Sequence, residues 1–166
     1  MSDAGPTAGT TPSRTPSQRL ADLGLELPPV ATPVAAYIPA IRVGDLVHSS
    51  GQLPVVQGQL LATGKVGAGD GLVAPDEAAG LARVAALNAL AAVADAAGGL
   101  DNVVAIVKVV GFVASDPAFT GQPLVINGAS ELFGEVFGTA HARSAVGVAV
   151  LPLDAPVEVE VVALVR

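Results

Sequence analysis

Residues 141 to 160, HARSAVGVAVLPLDAPVEVE, place an arginine at the head of a run of small apolar residues, with two glutamates close behind. Desolvating a charge is expensive, so an arginine in such company needs a partner or a purpose. Alternation along a strand over 143–150 puts Arg143, Ala145, Gly147 and Ala149 on one face and Val146, Val148 and Val150 on the other. The valine face reads as core. The opposite face lacks bulk and leaves room for a neighbour or a ligand beside the guanidinium. Two readings fit Arg143: a surface ion pair at a strand end, or a bidentate clamp for a carboxylate. Glu158 and Glu160 share a face opposite Val157, Val159 and Val161, as a solvated edge face would. If the last two strands form a hairpin, about six residue pairs, roughly 20 Å, separate Arg143 from Glu158. One site then uses both only across a subunit boundary, or with a different strand order.

Other residues could join such a site. Tyr37 is the only tyrosine and sits in an apolar segment, either as core or as a cap over a ligand. Ser50-Gly51-Gln52 presents a hydroxyl and backbone amides at a strand break. Asn127-Gly128 falls inside a predicted helix, where both residues are locally unfavourable. The two histidines, His48 and His141, read as structural. No Ser/His/Asp arrangement is legible, and neither HExxH nor EF-hand spacing occurs, so no metal is expected. With no cysteine, thiolate chemistry, disulfides and Cys-bound zinc are excluded. The glycine-rich stretch 57–71 lacks GxxxxGK[ST], because valine follows Lys65.

The elements that must position these residues follow from local pattern. Residues 1–14 are Gly/Pro/Ser/Thr/Ala-rich and read as a disordered tail, with an N-terminal helix and linker over 15–33. Thr15-Pro16-Ser17-Gln18 forms a helix start, and the prolines at 28 and 29 are the expected stop. The main domain spans 34–166. It opens with two strands joined at Val43-Gly44-Asp45, then a glycine-rich region with room for one short strand. A helix follows over 75–97, a β-branched strand over 103–114, a second helix over about 122–137, and strands over 143–150 and 157–165. The order β-β-(β)-α-β-α-β-β predicts an α+β fold, a mixed sheet with helices on one face.

At 166 residues with 51% apolar and only 14% charged residues, the chain has too few charges to cover its surface, and oligomerisation is expected. Its net charge of −7 and 3% aromatic content supply neither a basic stripe nor stacking platforms, so nucleic acid is not an expected partner. The N-terminus lacks the apolar core of a signal peptide, and no uninterrupted apolar run reaches about 18 residues, so no membrane span is expected and the cytoplasm is the default location.

Five ordered motifs together resemble the RidA/YjgF family of reactive-intermediate deaminases. They are Tyr37, Ser50-Gly51-Gln52-Leu53-Pro54, Asn127 to Phe133, Ala142-Arg143-Ser144 through Leu151-Pro152, and Glu158-Val159-Glu160. The segments NGASELFGEVFG and HARSAVGVAVLP are similar to the longer branch, labelled chorismate-mutase-like "putative endoribonuclease". The resemblance implies a chorismate-mutase-like mixed β-sheet with two main helices on one face, assembled as a homotrimer with clefts between subunits. It implies that Arg143 clamps the carboxylate of a small 2-imino or 2-enamino acid while Glu158 positions water, giving a 2-keto acid and ammonia without a cofactor. Tyr37, Ser50 and Asn127 would line the cleft. Three departures stand out: Ala145 where many members have cysteine, His141 where proline often precedes the Ala-Arg pair, and His48 where simpler members have an aliphatic residue. The alternatives are a non-catalytic trimeric module that binds small carboxylates or a partner, an endoribonuclease and, on fold analogy, chorismate rearrangement.

Overall fold

The computed structural model of the protein describes residues 14–30 and 36–166. Helix α1 (Pro16–Asp22) starts on a capping box: Thr15 Oγ1 accepts from the Gln18 N–H, and the Gln18 side chain accepts from the Thr15 N–H. It ends well before the expected proline stop, because Gly24 turns the chain left-handed at φ 70°. Ser17 ties the helix to the body by donating from its backbone N–H and its hydroxyl to the Asp101 carboxylate. The expected disordered tail lies outside the described residues except for Arg14, which pairs with Asp22.

Strands β1 (Ala40–Val43) and β2 (Leu46–Ser49) form a hairpin about Gly44, whose φ of 61° a side chain would resist. The glycine-rich stretch carries one short strand, as expected: β4 (Gln59–Leu60) pairs with β3 (Val55–Val56), which lies just before the stretch, around Gln57 and Gly58, both at positive φ. Helix α2 (Pro75–Ala97) has Pro75 at its start, Asp76 and Glu77 in its first turn and a left-handed Gly98 as its stop. Strand β5 (Val103–Ala114), helix α3 (Gln122–Phe137), and strands β6 (Ala142–Val148) and β7 (Val157–Val165) complete the order.

The main sheet runs β1-β2-β7-β5-β6. All neighbours are antiparallel except β5 and β6, which are parallel because α3 carries the chain back across one face. The last two strands are therefore not a hairpin: β5 lies between them. Nor is β7 an edge, so Glu158 and Glu160 stand in mid-sheet.

Helices α2 and α3 cover one face, where Val47, Val109, Val113, Val157, Val159 and Val161 are buried. Close approach explains the awkward Asn-Gly pair in α3. A methyl group at Gly128 would fall on the carbonyl oxygen of Ala79, so only glycine lets α3 seat against the alanine-rich side of α2. Helix α2 is long and apolar enough to cross a membrane by length and composition, yet much of it is buried in this core. The other sheet face carries Val110, Phe112, Val162 and Leu164 with no covering element among the described residues; Leu164 is exposed and the other three are half-buried.

Alternation in β6 holds, but the assignment of its faces reverses. Arg143, Ala145 and Gly147 align with Val109, Gly111 and Val113 on the helix side. Ala145 packs on the core, and a side chain at Gly147 would crowd the Gln122 side chain and Ser115 Oγ. The small face is a seat for α3, not open room for a ligand. The valine face is the open one, with Val146 exposed.

Candidate active site

Arg143 stands near the start of β6, the sheet's edge strand, and its side chain reaches along α3. Its Nη1 donates to Asn127 Oδ1 at 2.8 Å and to Ser130 Oγ at 3.2 Å. Asn127 and Ser130 lie three residues apart on one helix face, so both can grip one nitrogen. Among the described residues Nε and Nη2 of Arg143 have no partner, and the ion pairs are Arg14–Asp22 and Arg83–Glu135. The surface ion-pair reading of Arg143 therefore fails among those residues. A half-buried guanidinium anchored at one corner keeps its Nε–Nη2 edge for a planar two-oxygen acceptor.

Ser130 was not evident from sequence, although its spacing from Asn127 was available. Its hydroxyl also meets His141 Nε2 at 2.9 Å, and the His141 ring packs edge-on against Phe133. Burial, and then the neighbouring Arg143 charge, hold the imidazole below the usual histidine range.

Glu158 lies elsewhere. It projects from the uncovered face of β7, in register with Phe112 of β5. Gln52 pairs with Val159 through both backbone bonds, which draws the Ser50-Gly51 segment alongside. The Glu158 carboxyl lies over Gly51, where a methyl group would meet Oε1 and displace it. Burial first, and the Glu160 charge second, push the Glu158 carboxyl above its ordinary value. A carboxylate so raised is a better proton acceptor near neutrality. Ser50 donates its hydroxyl to the Ile38 carbonyl at 2.7 Å and its N–H to that of Pro39 at 2.8 Å. These bonds tie down the segment carrying Tyr37, which is a bend with the ring half exposed, not a core strand.

The five expected residues thus fall into two groups within the chain. Arg143 and Asn127 meet at the β6 edge on the helix side. Glu158 lies on the open face over Gly51, the neighbour of Ser50, with Tyr37 on a segment bonded to Ser50. Two strand spacings of about 4.8 Å and three residue steps of about 3.4 Å separate Arg143 from Glu158, and they point to opposite faces. A cleft of about 260 Å³ on the open face holds His48, Ser49, Lys108 and Glu160. Lys108 was also missed from sequence, although it is the one charge in a valine-rich strand; its Nζ donates to Ser144 Oγ at 2.9 Å. Among the described residues no cluster of three or more His, Cys, Asp or Glu side chains could hold a metal.

Comparison with known proteins agrees with this architecture. The chain is 43% identical over 141 residues to Protein TCP17 of Trypanosoma cruzi, a match spanning 83% of this chain and 86% of that protein. A crystal structure described as a "putative endoribonuclease" from Shewanella oneidensis MR-1 superposes with TM-score 0.85 at 35% identity, covering 92% of this chain and all of the other. E. coli TdcF with bound serine superposes with TM-score 0.59 at 26% identity, over 82% of this chain and 94% of TdcF. The model of the family described as "YjgF/chorismate mutase-like, putative endoribonuclease" matches residues 17–165, and the chain belongs to that family.

Proposed function

We propose that the protein hydrolyses small 2-imino or 2-enamino acids to 2-keto acids and ammonia, at sites completed between the copies of a homotrimer. The observation that carries this reading is the anchored Arg143 guanidinium, whose Nε–Nη2 edge has no carboxylate partner among the described residues. That edge matches the carboxylate of such a substrate. The serine bound to TdcF, itself a small amino acid, is compatible with the same class.

The chemistry asks little of the protein. An iminium carbon is already electrophilic, so orientation and one proton acceptor suffice. Glu158 accepts a proton as water adds to the iminium carbon. Returning that proton to nitrogen makes ammonia the leaving group; as the C–N bond breaks, the new hydroxyl gives its proton to Glu158 and a carbonyl is left in its place. Arg143 and Glu158 of one protomer face opposite ways, which supports sites shared by two copies: the edge group of one facing the open-face group of the next. Tyr37, Ser50 and Asn127 then complete the lining.

The test is ammonia release from 2-iminobutanoate generated in situ. Arg143→Ala is expected to abolish the acceleration; wild-type activity no higher than that of Arg143→Ala would sink the proposal. A second reading is a non-catalytic carboxylate-binding module, because the free edge of Arg143 would hold a carboxylate whether or not turnover follows. Thermal stabilisation by 2-keto acids without turnover would select it. Ribonuclease activity has little support from a chain of net charge −7 with 3% aromatic residues.

A further inference from the structure

We propose that His141 is a positioning residue for the arginine clamp, setting the Arg143 guanidinium through the hydroxyl of Ser130 as the Nδ1–H tautomer. The inference deepens the carboxylate-clamp reading of Arg143 and rests on it. Its basis is a count of hydrogens. Arginine can only donate, so Ser130 Oγ accepts from Nη1 at 3.2 Å. The single hydroxyl hydrogen is left for His141 Nε2 at 2.9 Å, its one acceptor among the described residues. Nε2 is then bare and Nδ1 carries the ring hydrogen. The opposite tautomer would leave both the hydroxyl hydrogen and the Nδ1 lone pair without partners, whereas this one orphans Nδ1–H alone.

The orphan is itself informative. Nδ1 is buried without a partner among the described residues, a cost that an apolar residue at 141 would avoid. The imidazole is retained where its other nitrogen orders the hydroxyl that holds the clamp. The Phe133 edge, with centroids 6.2 Å apart and planes at 88°, fixes the ring. Successive bonds from guanidinium to hydroxyl to imidazole polarise one another in the same direction. Without the imidazole, Ser130 can rotate away and Nη1 keeps only Asn127, so the free edge loses its aim.

The experiment measures binding of 2-oxobutanoate by calorimetry to wild type and to Arg143→Ala, Ser130→Ala, His141→Leu, His141→Gln and the Ser130→Ala/His141→Leu double variant. Loss of an aligned bond to a charged group should weaken binding roughly tenfold in Ser130→Ala and in His141→Leu. The double variant should be no weaker than either single one, because both act on one path. Gln, which can place an acceptor near the Nε2 position, should restore binding to within about twofold of wild type. In parallel, imidazole nitrogen shifts of wild-type protein should show the Nδ1–H form. An Nε2–H form, or unaltered affinity in His141→Leu while Arg143→Ala loses it, would overturn the relay and leave the clamp standing. Affinity unaffected by Arg143→Ala, or no binding by wild type, would overturn both.

Discussion

The two faces of the main sheet use the same alternating code for different ends. On the helix face the residues of β6 are small because α3 lies on them, and the one long side chain, Arg143, escapes along the helix to be held by Asn127 and Ser130. On the open face the residues are larger, exposed to half-buried, and the acids Glu158 and Glu160 stand among valines and Phe112. The helix face is over-determined by packing, whereas the open face has no covering element among the described residues. Small residues next to a charge mark closeness to another element as readily as space for a ligand.

The largest effect should come from breaking the helix face. Gly128→Leu places carbon on the Ala79 carbonyl and forces α2 and α3 apart, at a cost of about 3 kcal/mol or more. Little folded protein is expected, as judged by near-ultraviolet circular dichroism and melting. Val146→Ser, on the open face, should fold with a melting temperature close to wild type. If the two behave alike, the contrast between the faces is wrong.

A subtler separation uses Glu158→Gln. Loss of the proton acceptor should lower kcat for imine hydrolysis by roughly a hundredfold or more. Stability should move the other way. The Glu158 carboxyl is raised above its ordinary 4.5 by burial and by Glu160, so its favourable contribution is full below that value and is lost as pH rises through the folded-state value. Denaturant melts should show the variant gaining on wild type as pH climbs from about 4 to 7. A constant gap across that range would mean that the carboxyl is not desolvated.

Much of this architecture was legible before any coordinates. The caps at Thr15, Pro75 and Gly98, the β-branched run of β5 and the motif spacing placed the elements closely, because those signals are local. Three features were not legible. The handedness of the faces of β6 depends on which side α3 crosses, a tertiary fact that alternation cannot encode. The end of α1 was set by Gly24, not by the more conspicuous prolines. Ser130 escaped notice because a serine gains meaning only when Arg143 arrives from another strand. The pairing of Asn127 with Arg143 was within reach, because a polar residue in an unfavourable helical position needs a reason to be there.

The smallest effect tests the periphery. Thr15→Ala removes the acceptor for the Gln18 N–H and should cost about 1 kcal/mol of α1 stability, seen as faster amide exchange in residues 17–22. Ammonia release should be unchanged, because α1 carries none of the residues assigned to the site. A comparable loss of activity would mean that α1 participates in it.

The central claim is that Arg143 and Glu158, facing opposite ways in one protomer, act together in two. Subunit complementation tests it directly. Arg143→Ala and Glu158→Gln chains, each inactive alone, are unfolded, mixed in equal amounts and refolded together. If each site joins the edge of one copy to the open face of another, random assembly makes about a quarter of the sites intact, and about that fraction of wild-type ammonia release should return. A mixed assembly no more active than either parent would contradict the account.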